Sequence, residues 1–264
     1  MNYKMVTAQK IATFLDKELN IKEFEDTCCN GLQVDNCHSA NSKDKIEIKK
    51  IGFAVDAALE VFEKAKEKKC NMVITHHGMI WNWMDSIVGR EYGRIKYLIE
   101  NKIALYSAHL PLDQNEKYGN NICLAKFLKL KNLKEFGKVN NKKIGFIGDY
   151  NGNLNSVKKI LKEKGMRISS LDFGPTEIKK IAIVSGGGAN SLGEAVECKS
   201  DLFITGESAH HNYHNAKEEK LNMIFSGHYE TEIWGVKELM NLIKKKFNVE
   251  VEFIDVPVSI PDKI

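Results

Sequence analysis

The stretch KKIGFAVDAALEVFEKAKEKKCNMVIT, residues 49–75, is matched 130 positions later by KKIAIVSGGGANSLGEAVECKSDLFIT, residues 179–205. The two align without a gap, and eight of the 27 positions are identical. Each reads as a short β-branched run, a helical period and a second β-branched run, which is the pattern of a strand–helix–strand unit. Beyond them, Leu105-Tyr106-Ser107-Ala108-His109-Leu110-Pro111-Leu112-Asp113 lines up with Ile224-Phe225-Ser226-Gly227-His228-Tyr229-Glu230-Thr231-Glu232, so His-x₃-Asp answers His-x₃-Glu. Generic strand–helix–strand units share some residues by composition alone. A shared histidine–carboxylate spacing at matching strand ends points further, to internal duplication.

Working outward, strands are expected at 51–55, 72–75, 103–107, 144–147, 181–184, 202–205, 223–226 and 249–254. Helical periods fill 7–19, with Thr7 as N-cap, and 57–68, 91–101, 121–130, 154–163, 190–198, 209–220 and 232–247. Alternation on this scale predicts an α/β fold with largely parallel sheets covered by helices. A chain of 264 residues lies near the limit of one core, so two lobes are expected. Four prolines and the absence of a Ser/Gly-rich tract leave no floppy linker. The division is therefore expected in the Lys-rich stretch 129–143, giving lobes 1–130 and 131–264.

Composition excludes more than it selects. Lys+Arg 39 against Asp+Glu 35 leaves a net charge of +4 without a concentrated basic arm, so charge alone names no nucleic-acid partner. No apolar run approaches the roughly 20 residues that span a bilayer. The first residues lack the apolar core and cleavage site of a secretion signal. Six cysteines without a C-x-x-C pair suit neither a zinc ribbon nor a disulfide framework, so reduced thiols in the cytoplasm are expected.

The strand ends carry the chemistry. His76-His77 follow a buried strand, and Gly78 lets the chain turn so that both rings face one point. His228 and Glu232 stand four apart and share a face if a helix begins near His228. Asp113 adds a second carboxylate. Imidazole and carboxylate suit borderline metals. Five such ligands exceed the needs of one catalytic zinc and match two ions bridged by carboxylate and water. The alternative is that these histidines hydrogen-bond neighbouring backbone.

At these residues the chain resembles a known family. Thr75-His76-His77-Gly78, Ala108-His109-Leu110-Pro111-Leu112-Asp113 with Gly119-Asn120-Asn121, and Gly227-His228-Tyr229-Glu230-Thr231-Glu232 are similar to the signature blocks of the Nif-three-like dinuclear metal family, also called the GTP cyclohydrolase I type 2 family. Asn30-Gly31-Leu32-Gln33-Val34 and Phe253-Ile254-Asp255-Val256-Pro257 resemble its flanking motifs. The family's ligands map onto His76, His77, Asp113, His228 and Glu232. The resemblance implies duplicated three-layer α/β/α lobes, a metal site between them, a toroidal homohexamer and a compact form without the third domain inserted in larger relatives.

Other features stay open. Gly186-Gly187-Gly188 reads as a tight turn or a phosphate cradle. His210-His211-x-x-His214 reads as a solvated helix start, with His211 or Glu207 as alternatives beside the metals. His38 is expected on the surface, and Trp81 and Trp83 in the core, in a subunit contact or against a base. The function expected first is a dinuclear metal-dependent hydrolase acting on GTP or another nucleotide or phosphoester, with His109 or Glu207 relaying protons. Zinc, iron, manganese, nickel and cobalt all suit the ligands. The reading from another class is a non-enzymatic metal-binding or regulatory ring that binds a protein partner or single-stranded nucleic acid.

Overall fold

The computed structural model describes residues 5–37 and 45–258. They form two compact units, one of residues 5–37, 45–112 and 236–256, the other of 113–235 and 257–258. The expected division at 130/131 is thus displaced: the chain leaves the first unit at Asp113 and returns to it at Val236. The reason lies in the stretch 129–143, which is no linker. It is an antiparallel hairpin whose first strand, KNLKEFGKV, buries only Phe136 and Gly137. Lysines on a sheet's edge strand discourage pairing with other chains, and they also hide the strand from hydrophobic periodicity.

In the first unit the elements are α1 (Ala8–Glu18), β1 (Gly31–Val34), β2 (Lys50–Asp56), α2 (Leu59–Glu67), β3 (Met72–His77), α3 (Gly89–Glu100), β4 (Ala104–Ser107) and α4 (Leu110–Gln114), which runs into the second unit. The second holds α5 (Asn120–Phe127), β5 (Lys131–Val139), β6 (Lys142–Asn153), α6 (Leu154–Glu163), β7 (Ser169–Asp172), β8 (Glu177–Val184), α7 (Leu192–Glu197), β9 (Leu202–Thr205), α8 (Asn212–Glu218) and β10 (Asn222–Phe225). Helix α9 (His228–Phe247) starts there and ends in the first unit, where β11 (Glu250–Phe253) follows. Thr7 caps α1 as expected, its Oγ1 accepting from Lys10 N at 3.3 Å. Three strands escaped the sequence reading, β1, β5 and β7. All are antiparallel edge strands, and β1 and β7 are only four residues long.

The sheets run β1-β4-β3-β2-β11 and β5-β6-β8-β9-β10-β7. The first has four parallel strands, β4, β3, β2 and β11, and the second three, β8, β9 and β10, and in both an antiparallel edge strand flanks the set: β1 beside β4, β7 beside β10. The duplication holds to the register. Ile51 pairs with Met72 and Ala54 with Thr75, while Ile181 pairs with Leu202 and Val184 with Thr205, all offset by 130. Identities within the repeat now have a physical reason. Ala65 and Ala195 are fully buried, and their carbonyls accept from Cys70 and Ser200 across a Schellman turn. Lys69 and Lys199 take the left-handed position of that turn, at φ 61° and 55°.

One equivalence needs correction. Ala108 N donates to Thr75 O, and Ser226 N to Thr205 O, so Ser226 answers Ala108 and Gly227 answers His109. The similar Ser-x-His spellings pull the sequences one residue out of the register that backbone hydrogen bonds set. Each unit has its own core: Phe62, Val73, Leu98, Leu105 and Ile254 belong to the first, Leu124, Val157, Leu161, Ile181 and Ile204 to the second. Each such side chain stabilises by about 1.5–3 kcal/mol.

Candidate metal centre

In the first unit, parallel pairing brings the carboxyl ends of β3 and β4 side by side, where ligands of α/β sheets gather. His76 and His77 end β3, and His109 follows β4 by two residues. One ligand atom from each of these three rings lies within 4.8 Å of the others. The rings are oriented from behind. His76 Nδ1 faces Ala108 O at 3.0 Å, His77 Nδ1 faces Asp56 Oδ1 at 2.8 Å, and His109 Nδ1 faces Asp26 Oδ1 at 2.9 Å. Such contacts fix the tautomer and make Nε2 the nitrogen a metal would take. Asp56 and His77 are cross-strand partners, so the sheet itself delivers this contact.

The flanking motif supports the turn. Gln33 Oε1 accepts from Met79 N and Ile80 N at 2.7 and 3.0 Å, and its Nε2 donates to Cys29 O at 2.7 Å. Gly78 leaves the room: a Cβ there would stand 2.2 Å from Gln33 Nε2. Asn30 Oδ1 accepts from His109 N, and Asn30 Nδ2 donates to Asp26. Burial alone would raise the Asp26 pKa, but hydrogen bonds from His109, Asn30 and Cys28 N–H outweigh it and hold the carboxyl at about 2. Burial pushes the Cys28 thiol up to about 12, so no thiolate joins the histidines near neutral pH.

In the second unit, Asp113 is buried, and its Oδ1 accepts from Asn120 Nδ2 at 2.9 Å and Ser185 Oγ at 3.0 Å. Asn121 ties the same corner together, donating to Ile144 O and accepting from Ser185 N. Helix α9 begins at His228, so His228 and Glu232 do share a face, with Nε2 and Oε2 3.1 Å apart. Glu207 Oε1 holds His228 Nδ1 at 2.8 Å. Glu207 thus stands to His228 as Asp56 stands to His77.

Gly186 sits at the position equivalent to Asp56. Its φ is +58°, and a Cβ would lie 2.0 Å from Glu232 Oε1 and 3.0 Å from His228 Nε2. The triple glycine is accordingly a tight turn. Gly186 N donates to Thr231 Oγ1, and Gly186 O accepts from Gly206 N and Glu207 N.

His210, His211 and His214 are exposed at the start of α8, as a solvated helix end would have them. His38 lies outside the described residues. Trp81 is half-buried with its ring centroid 5.2 Å from that of His109 in an edge-on arrangement, whereas Trp83 is 63% exposed and so is no core residue. Asp26, Asp56 and Ser185 are site residues that motif reading passed over, while Gln33 stands in the flanking motif, which by itself assigned it no role. Asp56 and Ser185 were findable, because the repeat places both at the end of its first strand.

A duplicated α/β protein with histidine and carboxylate clusters at its strand ends is a class with known members. The Duf34/NIF3 (NGG1p interacting factor 3) family model matches residues 6–259, and the chain belongs to this family. It is 41% identical over 256 residues to a "GTP cyclohydrolase 1 type 2 homolog" of Pyrococcus abyssi, covering 96% of this chain and 99% of that one. The protein of that name from Archaeoglobus fulgidus is 38% identical, with 95% and 98% covered. Among solved structures, TTHA1606 from Thermus thermophilus matches with a TM-score of 0.86 at 33% identity, covering 97% and 100%. Reduced HcgD from Methanocaldococcus jannaschii matches with a TM-score of 0.83 at 28% identity, covering 96% and 99%.

Proposed function

We propose that the chain is a dinuclear metal-dependent hydrolase in which His76, His77, Asp113, His228 and Glu232 hold two divalent transition-metal ions. The observation that supports it most directly is the shared orientation of the ligand histidines. Each has Nδ1 engaged by a carboxylate or carbonyl, the backing that metal-binding imidazoles use. The donor set fits the metals: imidazole nitrogen with carboxylate oxygen suits zinc, manganese, iron, cobalt or nickel. The space that Gly186 leaves beside Glu232 and His228 fits as well, since a side chain there would fill it.

When bound, the ions supply Lewis acidity and an acidified water. The chain's own groups do the rest. Asn120 and Ser185 keep Asp113 in place, Glu207 keeps the His228 ring turned, and His109 with Asp26 behind it forms a pair able to pass a proton at Nε2. The relatives' name makes a nucleotide, GTP first, the substrate to test. A homohexamer and a cytoplasmic location belong to the same proposal. Among the described residues no helix is long and apolar enough to cross a membrane, and no disulfide joins the six cysteines.

A hydrolysis panel of GTP, other nucleotides and phosphodiesters on metal-reconstituted protein tests the reading, with an Asp113→Asn/Glu232→Gln double variant as blank. Turnover in the wild type alone supports it. Equal rates in both would remove the enzyme and leave a metal-binding regulatory protein.

A further inference from the structure

Beside the histidines of the first unit lies a cavity of about 460 Å³ whose walls include Trp81, Trp83, Asp85, Arg90, Glu91 and Arg94. The proposed hydrolysis uses none of these side chains. Trp81 and Trp83 are stacked, with centroids 4.8 Å apart and planes 15° apart. The stack is anchored: Trp81 Nε1 donates to Gly78 O at 2.7 Å, Asn82 N to Thr27 O at 2.8 Å, and Met84 N to Trp81 O at 2.9 Å. Its inner member leans against His109, and its outer member is 63% exposed. A large, rigid indole left in water beside a cleft carries a cost that a stacked ligand would remove.

The two arginines differ. Arg90 donates to Glu91 Oε1 through Nε and Nη2 at 2.8 and 2.6 Å. Arg94 is half-buried and has no hydrogen bond or ion pair among the described residues. Its pKa is lowered by burial first and by Arg90 second, with Glu91 and Asp56 opposing. Asp56, which holds His77, lies within electrostatic reach of Arg94 and ties this wall to the histidine cluster. On α3, Arg90 and Arg94 are four apart and share a face, whereas the exposed Tyr92 and Ile99 lie on the other side of the helix.

We propose that this cavity is the substrate-recognition subsite, taking a phosphorylated aromatic heterocycle with its ring on Trp83 and an anionic group on Arg94. The inference rests on the proposed hydrolase for what happens to the ligand and assigns the residues that would hold its ring and its charge. Ring and charge must sit on one molecule, because the indole stack and the guanidinium line the same cavity. Stacking on an aromatic side chain tolerates any base, so Trp83 selects for a flat ring and leaves its identity to other contacts.

The test is calorimetric binding of GTP, guanosine and inorganic triphosphate to the full chain, with chelator present and no metal added. Variants are Trp83→Ala, Trp83→Phe, Arg94→Gln and Arg94→Lys, together with the Asp113→Asn/Glu232→Gln blank. GTP is expected to bind more tightly than either fragment. Trp83→Ala and Arg94→Gln should each weaken it roughly tenfold or more, with Trp83→Phe and Arg94→Lys retaining most of the affinity. GTP bound by the wild type without turnover leaves the subsite standing even if hydrolysis fails. Wild-type affinity in both Trp83→Ala and Arg94→Gln overturns the proposal. Loss in the blank alone also overturns it, because the nucleotide would then sit on the metal ligands. Thermal unfolding of each variant separates lost binding from lost folding. Trp83 is too exposed, and Arg94 too little bonded, for either substitution to unfold the chain.

Discussion

Gly186→Ala is the sharpest probe of how the second unit shapes the surroundings of His228 and Glu232. Gly186 has a φ of +58°, where an L side chain costs about 1–2 kcal/mol. The new Cβ would lie 2.0 Å from Glu232 Oε1, so that oxygen must retreat by about 1.4 Å to reach ordinary contact. Glu232 is 3% exposed and cannot simply swing into water. Overpacking of this kind costs about 1–3 kcal/mol. Loss of backbone freedom in the unfolded chain offsets about 0.4–1 kcal/mol of the total. The net expectation is a destabilisation of about 3 kcal/mol in chelator and a fall in metal affinity of roughly 10–100-fold, as when a group supporting a ligand is removed. Gly187→Ala is the control: its φ is −80°, and the nearest atom to the new Cβ is Glu207 Oε2 at 3.8 Å. Urea denaturation and calorimetric Zn²⁺ and Mn²⁺ titrations read both effects. If Gly186→Ala matches Gly187→Ala in stability and affinity, the steric account of the turn is wrong.

Asp26 sets a pH dependence. Its folded pKa of about 2 lies below the unfolded value near 3.9, so it contributes about 2 kcal/mol that is fully present above about pH 4 and lost as pH falls toward 2. Urea denaturation from pH 6 to pH 2 should show Asp26→Asn less stable at neutral pH, with the two proteins converging at the acid end; parallel curves would contradict the assignment. Elemental analysis of reconstituted protein should find close to two ions per chain, and one ion or none would count against the dinuclear proposal. His77→Ala and His228→Ala should weaken metal retention equally while His214→Ala leaves it unchanged, and two tightly held ions in His228→Ala would assign the metal to the first unit alone. Light scattering should find a hexamer, and a monomer at micromolar concentration would defeat that part of the proposal.

Period and spacing alone determined a good deal of this protein. The repeat at 49–75 and 179–205 specified both strand–helix–strand units with their pairing register, because buried parallel strands and amphipathic helices must repeat their apolar positions to repeat their packing. Helix α6 was legible to the residue, with apolar residues at 154, 157 and 161 on one face and Asn153 capping it. The ligand candidates were legible too, since adjacent histidines ending a β-branched run are chemically conspicuous.

Tertiary structure decided what depends on distant partners. The edge strands β1, β5 and β7 exist because a neighbouring strand pairs with them; their own residues carry little apolar signal. The register of β4 and β10, and with it the equivalence of Gly227 to His109, follows from backbone hydrogen bonds that similar side chains misreport. The partners that orient the rings come from separate segments: Asp26 lies 83 residues from His109, and Glu207 lies 21 from His228. Local propensity cannot anticipate such contacts, because they form only after the sheets have brought strand ends together.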